Sequence, residues 1–118
     1  MSDFSDAGAW PLLDIEHAVA LLGGSVVAYR DVAQVFLEHL TDAIAALAGS
    51  SDPHELLPVV HELGSSLGAV GAMRAHRVAC TIEAWWRRGQ TDDAAQSIAV
   101  LRAMVAVSVE ALTAAIAP

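Results

Sequence analysis

The sequence predicts an all-α protein, an antiparallel four-helix bundle with an additional short helix near the N-terminus. Apolar residues recur every three or four positions in several long stretches, which is the spacing of one helical face. No stretch alternates apolar and polar residues as a half-buried strand would. Short glycine-containing or polar segments separate the helical stretches, and such short connections make successive helices antiparallel.

Length and charge narrow the classes of function. The chain has 118 residues, which suits one domain with a single core. Its formal net charge is -8, and all six basic residues are arginines. An acidic chain without a basic stripe is a poor candidate for binding nucleic acid or an anionic membrane. Cys80 is the single cysteine, so no intramolecular disulfide and no multi-cysteine metal site is possible.

The most hydrophobic segment, residues 98–118, is interrupted by Arg102 and Glu110. A spanning helix needs about 20 predominantly apolar residues, so we expect no membrane segment. The N-terminus carries acidic residues where a secretory signal needs positive charge. The expected location is therefore the cytoplasm.

Residues 1–13 are predicted to form a polar lead, fastened to the body by Trp10 and Pro11, and residues 14–118 to form the bundle. Asp14 is the expected N-cap of a short helix over residues 15–22, which the Gly23-Gly24 pair ends. Ser25 caps a longer helix over residues 26–48. Its predicted apolar face consists of Tyr29, Val32, Phe36, Leu40, Ile44 and Leu47.

Asp52 and Pro53 form an N-cap and N1 pair that begins the next helix. Pro58 removes one backbone hydrogen bond within it, so we expect a bend or a later start there. The spacing of the apolar residues predicts one buried stripe, made of Leu56, Val60, Leu63, Leu67 and Val70.

A further helix is predicted over residues 71–88, with Gly89 as its stop and Cys80 as a small core residue. Of Trp85 and Trp86, one is expected in the core and the other partly exposed. The inward positions are Ala75, Val78, Ala79, Ile82 and Trp86. Thr91 is the expected cap of a last helix, whose apolar positions are Ile98, Leu101, Val105, Leu112 and Ile116.

His61 lies beside the apolar stripe of its helix, and small residues follow it at i+3, i+4 and i+7, namely Gly64, Ser65 and Gly68. A glycine inside a helix costs about 0.5–1 kcal/mol relative to alanine. Helix formation does not explain two glycines on this face, and clearance for another protein's backbone does. The predicted docking surface around the imidazole consists of Leu57, Gly64, Ser65 and Gly68.

Other motifs at this place are incomplete. Residues 64–68 match the G-x-S-x-G nucleophile elbow, but that motif requires a strand-to-helix turn. His61 and Glu62 begin a zinc-binding H-E-x-x-H, but Ser65 stands where the second histidine would be. No metal site is expected. The remaining histidines need no functional role; they are His17, His39, His54 and His76.

The pattern around His61 resembles the signature of histidine-containing phosphotransfer domains. The matching positions, in order, are His61, Leu63, Ser66, Gly71, Ala72 and Glu83. Two positions differ, because Gly64 stands where the family has lysine and Ser65 where it has glycine. Upstream, residues 14–25 resemble the family's first helix and its Leu-Gly-Gly-Asp turn, and Phe36 matches a common aromatic position. The resemblance covers most of the chain from Asp14 onward.

The resemblance implies a phosphorelay carrier rather than a turnover enzyme. His61 would accept a phosphoryl group from a receiver-domain aspartate and pass it on. In the family, the position matching Glu83 lies close to the histidine, so Glu83 is the expected orienting residue. Arg87, one helical turn later, is expected to replace the missing lysine as the cation, with Arg74 as the alternative. No cofactor is expected, since the Mg²⁺ belongs to the receiver.

The implied partners are receiver domains and a hybrid histidine kinase, which would meet a monomer. A rival reading is a degenerate bundle of the same fold that has lost phosphotransfer and inhibits or tethers a receiver or kinase. Gly64 and Ser65 favour that reading, whereas the retained His61 favours the carrier. A plain dimerisation bundle is a third possibility and would predict apolar side chains, rather than glycines, around His61.

Overall fold

The computed structural model describes residues 7–50 and 52–117, apart from the side chains of Ala7 and Thr41. Within these ranges the chain is helical and contains no strand. A short 3-10 helix at Ala7–Ala9 precedes six α-helices: α1 (Ile15–Leu21), α2 (Val26–Ala48), α3 (Pro53–Ala69), α4 (Met73–Arg87), α5 (Thr91–Gln96) and α6 (Ile98–Ile116). The predicted all-α class is confirmed. Residues 1–6 of the predicted lead lie outside the described residues.

Helices α2, α3, α4 and α6 form the bundle, because each packs against the next and α6 closes the ring against α2. The extra helix α1 lies against α2, and α5 lies against α4 and α6. The predicted stripe of α3 is buried throughout, with Leu56, Val60, Leu63, Leu67 and Val70 each no more than 4% exposed. The antiparallel four-helix bundle with an additional N-terminal helix is therefore the observed architecture.

Three helices begin at the side-chain caps that the sequence predicts. Asp14 accepts a hydrogen bond from the backbone N–H of His17 at 3.1 Å, and Ser25 accepts one from Ala28 at 3.0 Å. Asp52 accepts one from His54 at 3.0 Å. Each cap satisfies a backbone donor that has no partner inside the helix.

Helix α3 starts at Pro53 and continues through Pro58, so the expected later start is wrong. Pro58 removes a single backbone donor. It lies between two buried residues of the stripe, Leu56 and Val60, whose burial favours an uninterrupted helix.

The last two helices differ from the prediction at their starts. Helix α4 begins at Met73 rather than at Gly71, because Gly71 has φ +82°, outside the helical region. Gln90, not Thr91, occupies the N-cap position of α5, without a side-chain hydrogen bond. The predicted last helix is interrupted at Ser97, whose hydroxyl donates to the carbonyl of Asp93 at 2.8 Å.

The exposure of several side chains also differs from the prediction. Trp85 and Trp86 are both buried, on a helix that contacts α3, α5 and α6. Cys80 is exposed rather than in the core. On α2, Ala33 is fully buried while Val32 is 36% exposed, so the buried face is rotated toward Ala33.

The turn between α3 and α4 connects several elements through backbone carbonyls. The carbonyl of Gly71 accepts from the N–H of Asp14 at 2.7 Å, which holds the start of α1. The carbonyl of Val70 accepts from the buried hydroxyl of Tyr29, on α2, at 2.7 Å. This turn therefore fixes α1 and α2 relative to the α3–α4 pair.

The segment before α1 is fastened to α4, as predicted for Trp10 and Pro11. The guanidinium of Arg74 donates to the carbonyl of Trp10 at 3.0 Å, and its backbone N–H donates to the carbonyl of Pro11 at 3.1 Å. The guanidinium of Arg77 lies 5.5 Å from the centroid of the Trp10 ring, within cation–π range. Arg74 is thereby engaged at the segment before α1.

The stretch Thr91–Ile116 contains an 18-residue window of mean hydropathy 1.8, and it is long and apolar enough to cross a membrane by length and composition alone. In the bundle it supplies the buried residues Leu101, Val105 and Leu112. A core helix of a globular domain has the same composition, so this feature alone is weak support for a membrane span.

Gly71→Ala should destabilise the fold more than Gly89→Ala, its matched control. Both glycines have positive φ, +82° and +79°, so alanine at either costs about 1–2 kcal/mol of backbone strain. At Gly71 the new Cβ would also lie 2.5 Å from the carbonyl oxygen of Asp14, whereas nothing lies within 4 Å at Gly89. We expect a total loss of about 2–4 kcal/mol for Gly71→Ala, because the bond to Asp14 is lost as well. Urea unfolding measures both; equal losses would contradict the packing at Gly71.

Candidate functional site

His61 projects from α3, the second long helix, into solvent, as predicted. Its side chain is 62% exposed, because it lies beside the stripe that packs into the bundle. The buried neighbours Val60 and Leu63 anchor this part of the helix. The backbone that carries the imidazole is thus fixed while the ring remains accessible.

The neighbouring helix α4 places a carboxylate against this ring. Both carboxylate oxygens of Glu83 lie 3.0 Å from Nδ1 of His61. The Glu83 side chain is only 17% exposed, so it is held at the α3–α4 interface. The sequence predicted this proximity from the resemblance alone, and the geometry brings the two residues together.

Arg87, also on α4, forms an ion pair with Glu83. Its Nε and Nη2 donate to Oε2 of Glu83 at 3.1 Å and 2.6 Å. The two residues are at i and i+4, the spacing that places side chains on one helical face. The guanidinium is 62% exposed and bound to the carboxylate of Glu83.

The contacts of Glu83 bear on its own ionisation and on which nitrogen of His61 donates to it. Burial alone would raise the pKa of Glu83, but hydrogen bonds from Arg87 and His61 and their positive charges bring it below its ordinary value. Glu83 is therefore an ionised carboxylate at neutral pH and can only accept hydrogen bonds. When the imidazole of His61 is neutral, a hydrogen bond to this carboxylate requires its proton to be on Nδ1. Nε2 is left with an unprotonated lone pair.

The two glycines near His61 face α4 rather than a partner, which corrects the predicted reason for them. Gly64 is buried, and a Cβ there would lie 3.3 Å from the Cβ of Ala79. A Cβ on Gly68 would lie 3.1 Å from Nδ1 of His76. The glycines therefore permit a close approach of α3 and α4. Gly64 is withdrawn from the predicted docking surface because it is covered.

Two other residues of the predicted docking surface lie on either side of His61 along α3. Ser65 is exposed, and its hydroxyl donates to the backbone carbonyl of His61 at 3.2 Å. Leu57 is half-buried and packs against the core one turn before His61. Ser65 is therefore available at the surface, while Leu57 presents only part of its side chain.

His76 is the residue near the site that sequence reasoning missed. Its Nδ1 lies 2.7 Å from the carbonyl oxygen of Gly64. A signal for this contact was present, because small residues at i and i+4, here Gly64 and Gly68, allow helix backbones to approach closely. The pattern indicates that some helix passes there but not which residue it brings.

An open groove of about 540 Å³ runs between α2 and α3, and it is lined by Glu62 rather than by His61 itself. Its apolar walls include Val32, Val35, Phe36, Val59 and Leu63. Glu62, which follows His61, and Asp42 line it with carboxylates. Val35 is 52% exposed, so apolar surface is accessible along this groove.

Comparison with known proteins gives one match. A family model described as the Hpt domain matches residues 29–111, which is more than half of the chain. The matched range contains His61, Glu83 and Arg87. No curated protein and no solved structure matches the chain.

Glu83→Gln should lose stability in a pH-dependent manner. Because the pKa of Glu83 is lower in the folded state, its ionised form contributes stability above the usual carboxyl pKa of about 4.3. That contribution is lost as the pH falls through the lower folded-state value. We therefore expect the difference in unfolding free energy between parent and Glu83→Gln to be largest at neutral pH and to shrink in acid.

Urea unfolding at a series of pH values measures this difference. Glu62→Gln is the matched control, since it neutralises an exposed carboxylate next to His61 in sequence. A Glu83→Gln penalty that stays constant from neutral to acid pH would contradict the ionised contact with His61 and Arg87.

Proposed function

Because the chain belongs to the Hpt domain family, we propose that it is a histidine phosphotransfer protein of a two-component phosphorelay, with His61 as the phospho-acceptor. Hpt domains are phosphocarrier modules that act with receiver domains and kinases. The observation that carries the proposal for this chain is the exposed imidazole of His61 whose Nδ1 is held by Glu83.

In the proposed reaction, the lone pair on Nε2 of His61 attacks the phosphorus of an aspartyl phosphate in a receiver domain. The N–P bond forms, the P–O bond to the aspartate breaks, and the aspartate leaves as a carboxylate. Nε2 carries no proton, so none has to be removed from the nucleophile. The positive charge that develops on the ring is shared with the carboxylate of Glu83 through Nδ1–H. Attack by a second receiver's aspartate reverses these changes.

Glu83 acts in this proposal by holding the ring in the reactive tautomer. A carboxylate 3.0 Å from Nδ1 stabilises Nδ1–H and the cationic ring over the tautomer protonated on Nε2. The chain needs no cofactor for this role. The Mg²⁺ and the acid catalysis are supplied by the receiver.

We propose Arg87 as the cation that replaces the family's lysine. Gly64 is buried against Ala79 and offers no charge, whereas Arg87 is exposed and bound to the same carboxylate as His61. Arg87 keeps Glu83 ionised and adds positive potential beside the transferred phosphoryl group. Arg74, the alternative cation, donates a hydrogen bond to the carbonyl of Trp10 instead.

The receiver is proposed to dock over His61 and the adjoining exposed surface of α2 and α3. A specific interface buries about 800 Å² on each partner, far more than one imidazole provides. Ser65 and the partly exposed Leu57 flank the ring along α3, and the groove bordered by Val35 supplies apolar area between α2 and α3. The partner would thus contact side chains on both helices. A cytoplasmic monomer remains the expected form.

The rival function is a non-catalytic interaction module that docks a receiver or kinase in the same place. It is favoured by the absence of the family lysine at Gly64. Both functions use the same surface, so receiver binding does not distinguish them. Transfer of a phosphoryl group to His61 does.

Incubation of the parent protein with receivers phosphorylated on aspartate should transfer the label to His61. The product should be labile in acid and stable in base, as expected for an N–P bond. His61→Gln should accept no label, and His54→Gln, an exposed histidine on the same helix, should accept as much as the parent. Labelling of His61→Gln at the parental level would refute the assignment. Receiver binding without any transfer to the parent would establish the interaction module instead.

Arg87→Ala should slow phosphotransfer while changing thermal stability little. A charge-assisted hydrogen bond is worth about 1.5–3 kcal/mol, so its loss predicts transfer about 10- to 100-fold slower. Arg88→Ala is the matched control, because it removes the adjacent exposed arginine. Rapid-quench kinetics with one phosphorylated receiver measures both. If Arg87→Ala transfers at the parental rate, Arg87 is not the required cation, and the receiver must supply it.

A further inference from the structure

His76 occupies the notch that the two glycines leave on α3. Its Nδ1 lies 2.7 Å from the carbonyl oxygen of Gly64, and its ring fills the space where a Gly68 side chain would point. The ring is half-buried between α3 and α4. A Cβ at Gly68 would be tight against the ring, which would have to shift by a few tenths of an ångström, so the glycine and the histidine fit each other.

The hydrogen bond defines the state of the His76 ring. A carbonyl oxygen only accepts, so Nδ1 of His76 carries the proton and donates it to Gly64. Nε2 lies 3.6 Å from the sulfur of Cys80, one turn further along α4. His76 is thus oriented by a contact to the other helix, as a structural clasp requires.

We call the hydrogen bond from His76 to the carbonyl of Gly64 the clasp. It joins α3 and α4, the same two helices that carry His61 and Glu83. Gly64 lies three residues after His61 on α3, and His76 lies seven residues before Glu83 on α4. Ala79, which lies between His76 and Glu83 on α4, packs against Gly64 on α3. A change in their separation at the clasp is therefore transmitted to the distance between Nδ1 of His61 and Glu83.

We propose that His76 is a positioning residue that holds α3 and α4 close enough for Glu83 to fix the tautomer of His61. The bond from His61 to Glu83 is 3.0 Å long, and hydrogen bonds of this kind extend to about 3.2 Å. A displacement of a few tenths of an ångström is enough to weaken it. Only the effect on phosphotransfer rests on the proposed function; the effect on the tautomer does not.

The test uses two changes to the clasp and two comparison variants in the full chain. His76→Leu removes the donor, and Gly68→Ala leaves His76 in place but adds a methyl group 3.1 Å from its Nδ1. His76→Gln retains a side-chain N–H donor and should restore the contact in part. His54→Leu is the control, since it removes an exposed histidine from α3.

The main readout is the tautomer of the His61 ring, read from its two ¹⁵N chemical shifts at a pH well above the usual imidazole pKa of about 6.5. The parent and His54→Leu should show the proton on Nδ1. His76→Leu and Gly68→Ala should shift the population toward Nε2–H, and His76→Gln should lie between. Circular dichroism identifies any variant that has lost the helical fold, and Gly68→Ala then decides the outcome if His76→Leu has unfolded.

Transfer from a phosphorylated receiver provides the second readout. Both clasp variants should transfer about tenfold more slowly than the parent, with His76→Gln less affected. A folded clasp variant that keeps His61 fully protonated on Nδ1 would overturn the proposal, whatever its transfer rate. A parent that never accepts a phosphoryl group would refute the proposed function alone, because the tautomer experiment would still decide the role of His76.

Discussion

The close approach of α3 and α4 is the constraint on which both the bundle and the site depend. Gly64 presents no side chain to α4, so Ala79 packs directly against it. At this separation His76 reaches the Gly64 carbonyl, and Glu83 reaches Nδ1 of His61. The cost of glycine in a helix is about 0.5–1 kcal/mol, and the packing and hydrogen bonds between the two helices offset it. The same glycine that departs from the family's lysine therefore has a structural role here.

Local signals in the sequence were sufficient to predict the first three α-helices and the existence of α4, but not the break at Ser97 between α5 and α6. The caps Asp14, Ser25 and Asp52 act on backbone groups two or three residues away, so sequence alone identifies them. The stripe of α3 was equally clear because its period matches a helix with one buried side. Predictions failed where burial depends on several neighbours at once, as at Trp85 and Trp86, on a helix that contacts α3, α5 and α6.

The candidate site was predictable only in part, for a related reason. His61 stood out because its surroundings were small, and the resemblance supplied Glu83. The sequence did not reveal whether Gly64 and Gly68 face a partner or a neighbouring helix, because both arrangements require the same small residues. Nor did it single out His76, whose bond to a backbone carbonyl leaves no side-chain pattern to recognise. Contacts to backbone atoms of another helix depend on tertiary geometry that spacing does not encode.

The exposed fractions of the Arg87, Glu83 and His61 side chains suit a carrier better than an enzyme. The carboxylate is 17% exposed and keeps a fixed position, while the imidazole is 62% exposed and lies at the surface. An enzyme excludes water around reacting groups to strengthen electrostatic stabilisation. A carrier must instead present its nucleophile to the site of another protein, which supplies that exclusion on docking. In the proposed function, the bundle would therefore contribute an imidazole held in its reactive tautomer by Glu83 and a surface on which a partner completes the reaction site.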